Sequence, residues 1–230
     1  KYIKGYYKKN KLKLFKPREH DKVFVKILKN ILNDGDFVLD IGCGNGASTK
    51  FFQDKYPKNF FYGIDYLEKI FIKPKKKYPV FLSRNLNKKI NLPIKFNLCY
   101  SKAVFQTLPE AKINFFLKNC KKFTKKGGVF VLFDCFLEKD EFEIFRFNYK
   151  RDNKAKNNLK TFSFNYYSKK FILKKLQKIG FKNIKFIPFK LSFEMKGKKS
   201  DSHTIKLFDR SNLSLIGPVV QNWNFVIAKN

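Results

Sequence analysis

Arginine, alanine, histidine and acidic residues are all scarce in this chain of 230 residues. It has 18 Asp+Glu against 51 Lys+Arg, two His, one Met, one Trp and four Cys. Each scarcity excludes something. Cys43, Cys99, Cys120 and Cys135 form no CxxC pair, and His20 and His203 are far apart, so no metal site is expected. No apolar run reaches the roughly 18 residues that cross a bilayer. The run from Val129 to Leu137 is broken by Asp134. No secretory-signal pattern follows Lys1, where Lys and Tyr dominate. Hydrophobic residues make up 43% and aromatics 18%, enough for a core without disulfides. Reduced thiols and a cytoplasmic location are the expectation. The length suits one domain, alone or with an appendage, and no repeat is visible.

The formal net charge is +33 and the pI about 10.0. Such a balance attracts nucleic acid, anionic membrane or acidic substrates. Nearly all of the excess is Lys; the five arginines are Arg18, Arg84, Arg146, Arg151 and Arg210. Abundant Lys, Asn, Ile and Phe beside five Ala also fit an AT-rich coding bias, so a functional and a compositional origin both stand. Base-specific readout favours the planar fork of Arg, which is rare here.

Periodicity predicts alternating strands and helices. Val23, Phe24, Ile27, Leu28 and Ile31 recur at helical spacing, with Asp21 as a capping residue. Strands are predicted at Phe37–Ile41, Phe60–Ile64, Val80–Ser83, Phe96–Ser101, Val129–Phe133, Ile184–Phe189 and Trp223–Ala228. Helices are predicted at Ala47–Tyr56, Glu110–Phe123 and after Ser168, ending at Gly180. Lys150–Lys160 reads as a polar surface loop, Glu194–Ser202 as polar, and the two terminal strands as an antiparallel edge. Strand–helix alternation predicts an α/β sheet covered on both faces. Residues 1–34 are taken as an N-terminal cap segment and 35–230 as the main domain.

The first strand runs into Asp40-Ile41-Gly42-Cys43-Gly44-Asn45-Gly46, and a helix follows. Glycines there permit a sharp turn and close approach of a ligand to the backbone. Asp65, nineteen residues after Gly46, ends the second strand, where an acid meets ribose hydroxyls. A carboxylate at Asp40 repels a pyrophosphate but suits a cationic amino group. A plain ligand-free turn is the competing reading.

This turn resembles the first motif of class I S-adenosylmethionine-dependent methyltransferases of the small-molecule type. The likeness runs from about Asp21 to Lys229. Phe96-Asn97-Leu98-Cys99-Tyr100-Ser101 resembles the family's fourth strand, and Lys125-Lys126-Gly127-Gly128 the approach to its fifth. Tyr167-Ser168 through Gly180-Phe181-Lys182-Asn183 resembles the helix and turn before its sixth. The resemblance implies a Rossmann-like, seven-stranded, mostly parallel sheet of order 3-2-1-4-5-7-6, with the seventh strand antiparallel. It implies S-adenosylmethionine as cofactor, held by Asp40, Gly42, Cys43, Gly44, Asp65, Tyr66, Asn85 and Ser101. Asn85 stands where the family usually has Asp, Asn97 replaces the fourth-strand Asp, and Gln106-Thr107 replace a Glu-His pair.

The acceptor is read by elimination. Enzymes that methylate exocyclic base amines carry an Asp/Asn-Pro-Pro-aromatic turn, but Tyr100-Ser101-Lys102-Ala103 stands there. Base C5 methylation needs a Cys usually placed after Pro, and Cys99 follows Leu98. Ribose methylation stays open. The favoured reading is transfer to an O or N of a small, acidic metabolite or glycan precursor. RNA methylation or RNA association, and a scaffold without catalysis, are the alternatives. Tyr6, Tyr7, Arg18 and Tyr166 are candidates for substrate contact. His203 and His20 are the base candidates, because histidine titrates near neutrality, and Asp134 is a third catalytic candidate.

Overall fold

The computed structural model describes residues 17–66, 71–72, 77–86, 90–138, 143–150, 159–189, 202–206, 212–216 and 223–230. Side chains of 143–150, 159–164, 202–206 and 212–216 are outside that description. Helix α1 (Glu19–Lys29) comes first. It is followed by β1 (Phe37–Ile41), α2 (Ala47–Lys55), β2 (Phe60–Asp65), β3 (Val80–Ser83) and β4 (Phe96–Lys102). A 3₁₀ turn (Phe105–Thr107) leads to α3 (Glu110–Phe123) and the long β5 (Thr124–Leu137). Then come β6 (Glu143–Lys150), β7 (Leu159–Ser168), α4 (Lys169–Lys178) and β8 (Lys182–Pro188). The chain continues through β9 (Ser202–Lys206), β10 (Asn212–Ile216) and β11 (Trp223–Lys229).

The main sheet has the order β3-β2-β1-β4-β5-β11-β8. Strands β1 to β5 pair in parallel, and β11 runs antiparallel between β5 and β8. This is the expected order, with β11 in seventh place and β8 in sixth. The two terminal strands form the expected antiparallel edge, and β11 is the inner of the two, with Phe225, Val226 and Ala228 burying both of its faces. Strand β8 takes the edge and alternates half-buried with exposed residues.

Alternation along the strands sorts the core into two layers. Leu39, Ile41, Cys99, Phe130 and Leu132 face α3 and α4, where they meet Ile113, Phe116, Leu117, Ile172 and Leu176. Val38, Leu98, Tyr100, Val131 and Phe133 face the other way, against Phe24 and Leu28 of α1 and Phe52 of α2. The aromatic surplus is spent here: Phe24, Phe52, Phe61, Phe96, Phe105, Phe116, Phe130 and Phe225 are all fully buried. Each such side chain contributes about 1.5–3 kcal/mol.

Three local expectations are refined. Asp21 caps α1 from inside the helix rather than from the N-cap position: Arg18 holds that position, and Asp21, three residues on, completes a capping box by accepting from the Arg18 N–H at 2.9 Å. Strand β5 starts at Thr124, not Val129. A bulge at Gly127-Gly128 absorbs the extra residues, with Gly127 at φ +78 and a Gly128 Cβ position only 2.7 Å from the Asn97 carbonyl. The stretch read as a loop at 150–160 is flanked by β6 and β7, which form an antiparallel hairpin; residues 151–158 lie outside the described part. The end of β7 continues the sheet, with Tyr167 and Ser168 beside Phe136 and Leu137 of β5. The segment 194–201 also lies outside the description, and β9 and β10 form a separate two-stranded sheet. No helix among the described residues is long and apolar enough to cross a membrane.

Candidate functional site

Asp40 and Asp65 end neighbouring parallel strands, so both carboxylates come to the same edge of the sheet. Between them the chain turns through Gly42, Gly44 and Gly46, at φ +81, +59 and +82. Only glycine adopts these angles without strain. Two of the glycines are also required by packing. A Cβ on Gly42 would stand 2.4 Å from Val104 Cγ2, and one on Gly46 2.3 Å from the Phe81 ring.

Asp65 fastens the turn. Its Oδ2 accepts the Gly44 N–H at 2.9 Å and its Oδ1 accepts the Tyr66 N–H at 2.7 Å. The Gly42 and Cys43 N–H groups donate to the Ile64 carbonyl. Asp40 accepts from Thr49 Oγ1 at 2.6 Å. Burial pushes the Asp40 carboxyl up to about 6, opposed by Lys102, Thr49 and Tyr100. Burial likewise pushes the Cys43 thiol well up, which makes it a packing residue rather than a nucleophile.

A second cluster lies beside the first. Lys102, the last residue of β4, donates to Asp21 Oδ1 at 2.5 Å and Ser48 Oγ at 2.5 Å, and its ammonium lies 4.8 Å from the Phe52 ring centroid. The Asp21 side chain is only 2% exposed and that of Lys102 only 12%. Burial alone would raise Asp21, but the Lys102 ammonium and the Arg18 N–H outweigh it and hold the acid below its ordinary range. This pair ties the first turn of α1 to the strand end nearest the glycine turn.

The remaining candidates are spread more widely. Ser101 is fully buried and donates to the Ile41 carbonyl at 2.8 Å, joining β4 to the turn. Tyr66 is 56% exposed just past Asp65, and Asn85 is exposed two residues past β3. Arg18 is exposed at the start of α1. His20 stacks on Phe133 with centroids 4.9 Å apart, and its Nε2 is 3.5 Å from Asp21. Burial lowers its pKa to about 4, so the ring is neutral at pH 7. His203 lies on β9 opposite Leu215, its side chain outside the description. Tyr6 and Tyr7 lie outside the described residues.

Asp134 is fully buried and faces the α3 and α4 side of the sheet, opposite to Asp40. It accepts from Gln106 N at 3.3 Å and Cys135 N at 3.0 Å. Burial pushes it up to about 7, against those backbone donors. Its carboxylate therefore fastens the 3₁₀ turn after β4 to β5. Asn165 and Tyr167 fasten the same segment from β7, both donating to the Leu108 carbonyl at 3.0 Å. Tyr166, between them, is buried.

Lys102, Asp21, Thr49 and Asn165 are the residues that sequence reasoning missed as site builders. Lys102 follows Ser101 on a strand already predicted to end at the site, which was the available signal. Its partner Asp21 is 81 positions away, and no local pattern joins the two. Among the described residues no group of three His, Cys, Asp or Glu is placed to hold a metal ion.

Residues 38–128 match the family model described as the methyltransferase domain. Among curated proteins, no sequence matches. By structure the chain is similar to an S-adenosylmethionine-dependent methyltransferase from Clostridium acetobutylicum, at 13% identity and a TM-score of 0.55, covering 99% of this chain and 98% of the other. It is similar to the 1,6-didemethyltoxoflavin-N1-methyltransferase of Burkholderia thailandensis, at 12% identity and a TM-score of 0.55, over 92% of this chain and 78% of that one. A third similar structure is the glycopeptide N-methyltransferase MtfA complexed with S-adenosyl-L-methionine, at 13% identity, a TM-score of 0.58, and 90% and 86% coverage.

Proposed function

We propose that this chain is a class I S-adenosylmethionine-dependent methyltransferase, because residues 38–128 match the methyltransferase-domain model and the chain shares the fold of such enzymes. From that premise we propose that it transfers a methyl group from S-adenosylmethionine to an oxygen or nitrogen of a small, acidic metabolite or glycan precursor, in the cytoplasm. The carrying observation is the pair of carboxylates, Asp40 and Asp65, set on either side of a three-glycine turn. That donor set suits a cationic amino acid end and a ribose diol, and it suits a pyrophosphate poorly.

In this reading Asp65 receives the ribose hydroxyls while keeping the Gly44 and Tyr66 N–H groups, so one carboxylate both shapes the turn and binds. Asp40 meets the amino group, Gly42, Cys43 and Gly44 offer backbone at close range, Tyr66 and Asn85 border the adenine, and Ser101 supports the turn through the Ile41 carbonyl. When bound, the cofactor supplies an electrophilic methyl carbon on a sulfonium, which leaves as a neutral thioether. The protein's task is then to hold the acceptor in line and to exclude water.

Residues 1–34 act as a cap over the acceptor, with the Asp21–Lys102 pair anchoring it; Tyr6, Tyr7, Arg18 and Tyr166 contact substrate. The basic surface steers an acidic acceptor inward. A hydroxyl acceptor must lose a proton, and that role goes to His203. His20, with its pKa near 4, is a weak acceptor of protons, and Asp134 is committed to backbone donors, so both serve as positioning groups. A hydroxyl-directed enzyme should lose about 10²–10⁴-fold in rate when its base is removed.

The test is calorimetric titration with S-adenosylmethionine and S-adenosylhomocysteine, followed by methyl transfer from labelled cofactor into fractionated metabolites. Asp65→Ala should weaken binding by about 3–6 kcal/mol, from two charge-assisted bonds of roughly 1.5–3 kcal/mol each. Equal affinity in wild type and Asp65→Ala would overturn the assignment of the site.

A further inference from the structure

The net charge is not spread evenly over the two covered faces of the sheet. Helices α1 and α2 together hold five Lys against three acids, while α3 and α4 hold nine Lys against one acid. On the first face all three acids are paired: Glu19 with Lys22, Asp21 with Lys102 and Asp54 with Lys50. A coding bias toward Lys explains a high total. It does not explain why acids are withheld from one face.

On the basic face, a groove of about 570 Å³ runs between α3 and α4, lined by Asn114, Lys118, Lys121, Lys175, Lys178 and Ile179. Among the described residues, none of these four lysines has an acidic partner. Lys121 donates to the Gly180 carbonyl at 2.6 Å, which holds its charge at the groove wall. Burial and the neighbouring Lys182 lower its pKa, the mark of cations crowded together. Lys118 and Lys178 are exposed. Phe115 lies three residues before Lys118 and is 38% exposed, one of three large apolar side chains that reach the surface among the described residues.

We propose that this groove binds the backbone of a single-stranded nucleic acid, separately from the methyl-transfer site. A positive groove with an adjacent exposed aromatic is the arrangement that tracks a single strand: lysines meet phosphates and the ring stacks on a base. The groove is concave and Ile179 is the one apolar residue among the described residues that line it, whereas a membrane surface calls for a broad apolar face. Lysine ammoniums act as point charges, so binding is indifferent to sequence. The position is also suitable. Helix α3 descends from the end of β4 to the start of β5, and α4 leads to the start of β8, which runs parallel to β5. The last turns of both helices therefore lie at the opposite end of the sheet from the glycine turn, and a strand docked there leaves the site open.

The experiment is fluorescence anisotropy with labelled 20-nucleotide single-stranded RNA and DNA over a salt series. Two charge-matched triple variants are compared, Lys118→Glu/Lys175→Glu/Lys178→Glu on the groove and Lys26→Glu/Lys29→Glu/Lys55→Glu on the other face. Lys121 is kept because it supports Gly180. The groove variant should lose at least tenfold in affinity at physiological salt. Its log–log salt slope should fall by about 2, from three phosphate contacts at roughly 0.7 each. The control should change less than threefold, and Phe115→Ala should cost fivefold or more. Thermal melting and cofactor titration verify that each variant is folded. Equal losses in the two triples would overturn the proposal and leave net charge alone as the cause. Binding to vesicles of 30% phosphatidylserine without binding to either nucleic acid would overturn it in favour of a membrane.

Discussion

Two buried carboxylates on opposite faces of one sheet end up in opposite states. Asp21, on the α1 and α2 side, is held below the ordinary carboxylate range. Asp134, on the α3 and α4 side, is pushed up to about 7. Both are almost fully withdrawn from solvent, at 1% and 0% exposure. Burial disfavours each charge, and the difference is the partner. Asp21 has the Lys102 ammonium at 2.5 Å, while Asp134 has backbone N–H groups. A full charge outweighs desolvation where peptide dipoles do not. The abundance of lysine does not help Asp134, because the lysines of α3 and α4 point outward from a layer packed with Ile113, Phe116, Leu117, Ile172 and Leu176.

The largest effect should come from breaking the paired side. Lys102→Met leaves Asp21 as an uncompensated buried acid, and about 3–5 kcal/mol of stability should be lost in urea denaturation at pH 7. Adding Asp21→Asn to that variant should recover part of the loss. Full additivity of the two single losses would show that the pair is not coupled.

The unpaired side is sharpened by pH. The folded pKa of Asp134, about 7, lies above its ordinary value of 3.8. The protonated form is thus favoured by folding, and the stability it contributes is present below pH 3.8 and lost as pH rises through 7. His20 has the opposite sign: its folded pKa is lowered to about 4, so its contribution is lost as pH falls from 6.5 toward 4. The difference in unfolding free energy between Asp134→Asn and wild type should shift by about 2–3 kcal/mol between pH 5 and pH 8, in favour of the variant at high pH. A difference that stays constant over that window would remove the comparison.

Packing around the glycine turn comes next. Gly46→Ala places a methyl 2.3 Å from Phe81 at a φ of +82, and should cost about 1–3 kcal/mol, seen as a lower Tm together with weaker cofactor binding. The smallest effect should come from Asp34→Ala. Its pair with Lys58 is exposed on both sides, at 71% and 73% for the side chains, and the melting temperature should not move.

Much of this protein was legible before its folding was seen. The run Val38 to Gly46 followed by Asp65 identified two strand ends and the turn between them, because positive φ and close backbone approach leave glycine few substitutes. Helix Glu110–Phe123 lies where Ile113, Phe116, Leu117 and Cys120 recur on one face, and those residues are buried. Ser168 and Gly180 bracketed α4 for the same local reason; Ser168 accepts the Phe171 N–H at 3.1 Å and Gly180 adopts φ +94. Asp21 reads as the N-cap because the pattern of apolar residues begins after it, while the helix begins two residues earlier and Asp21 caps from within its first turn.

What the sequence determined by itself was therefore local: the alternation of strand and helix, the glycine turn, the acids at two strand ends and the net charge. Each is set by backbone sterics, side-chain period or composition, and each is read from neighbours in the chain. What only the tertiary structure decided was partnership across distance. It brought Asp21 to Lys102, set Asn165 and Tyr167 on the Leu108 carbonyl, and divided the lysines between one face with acids and one almost without. Those choices depend on which surfaces meet when the two core layers close, and the energy of a buried charge turns on a neighbour that sequence order does not specify.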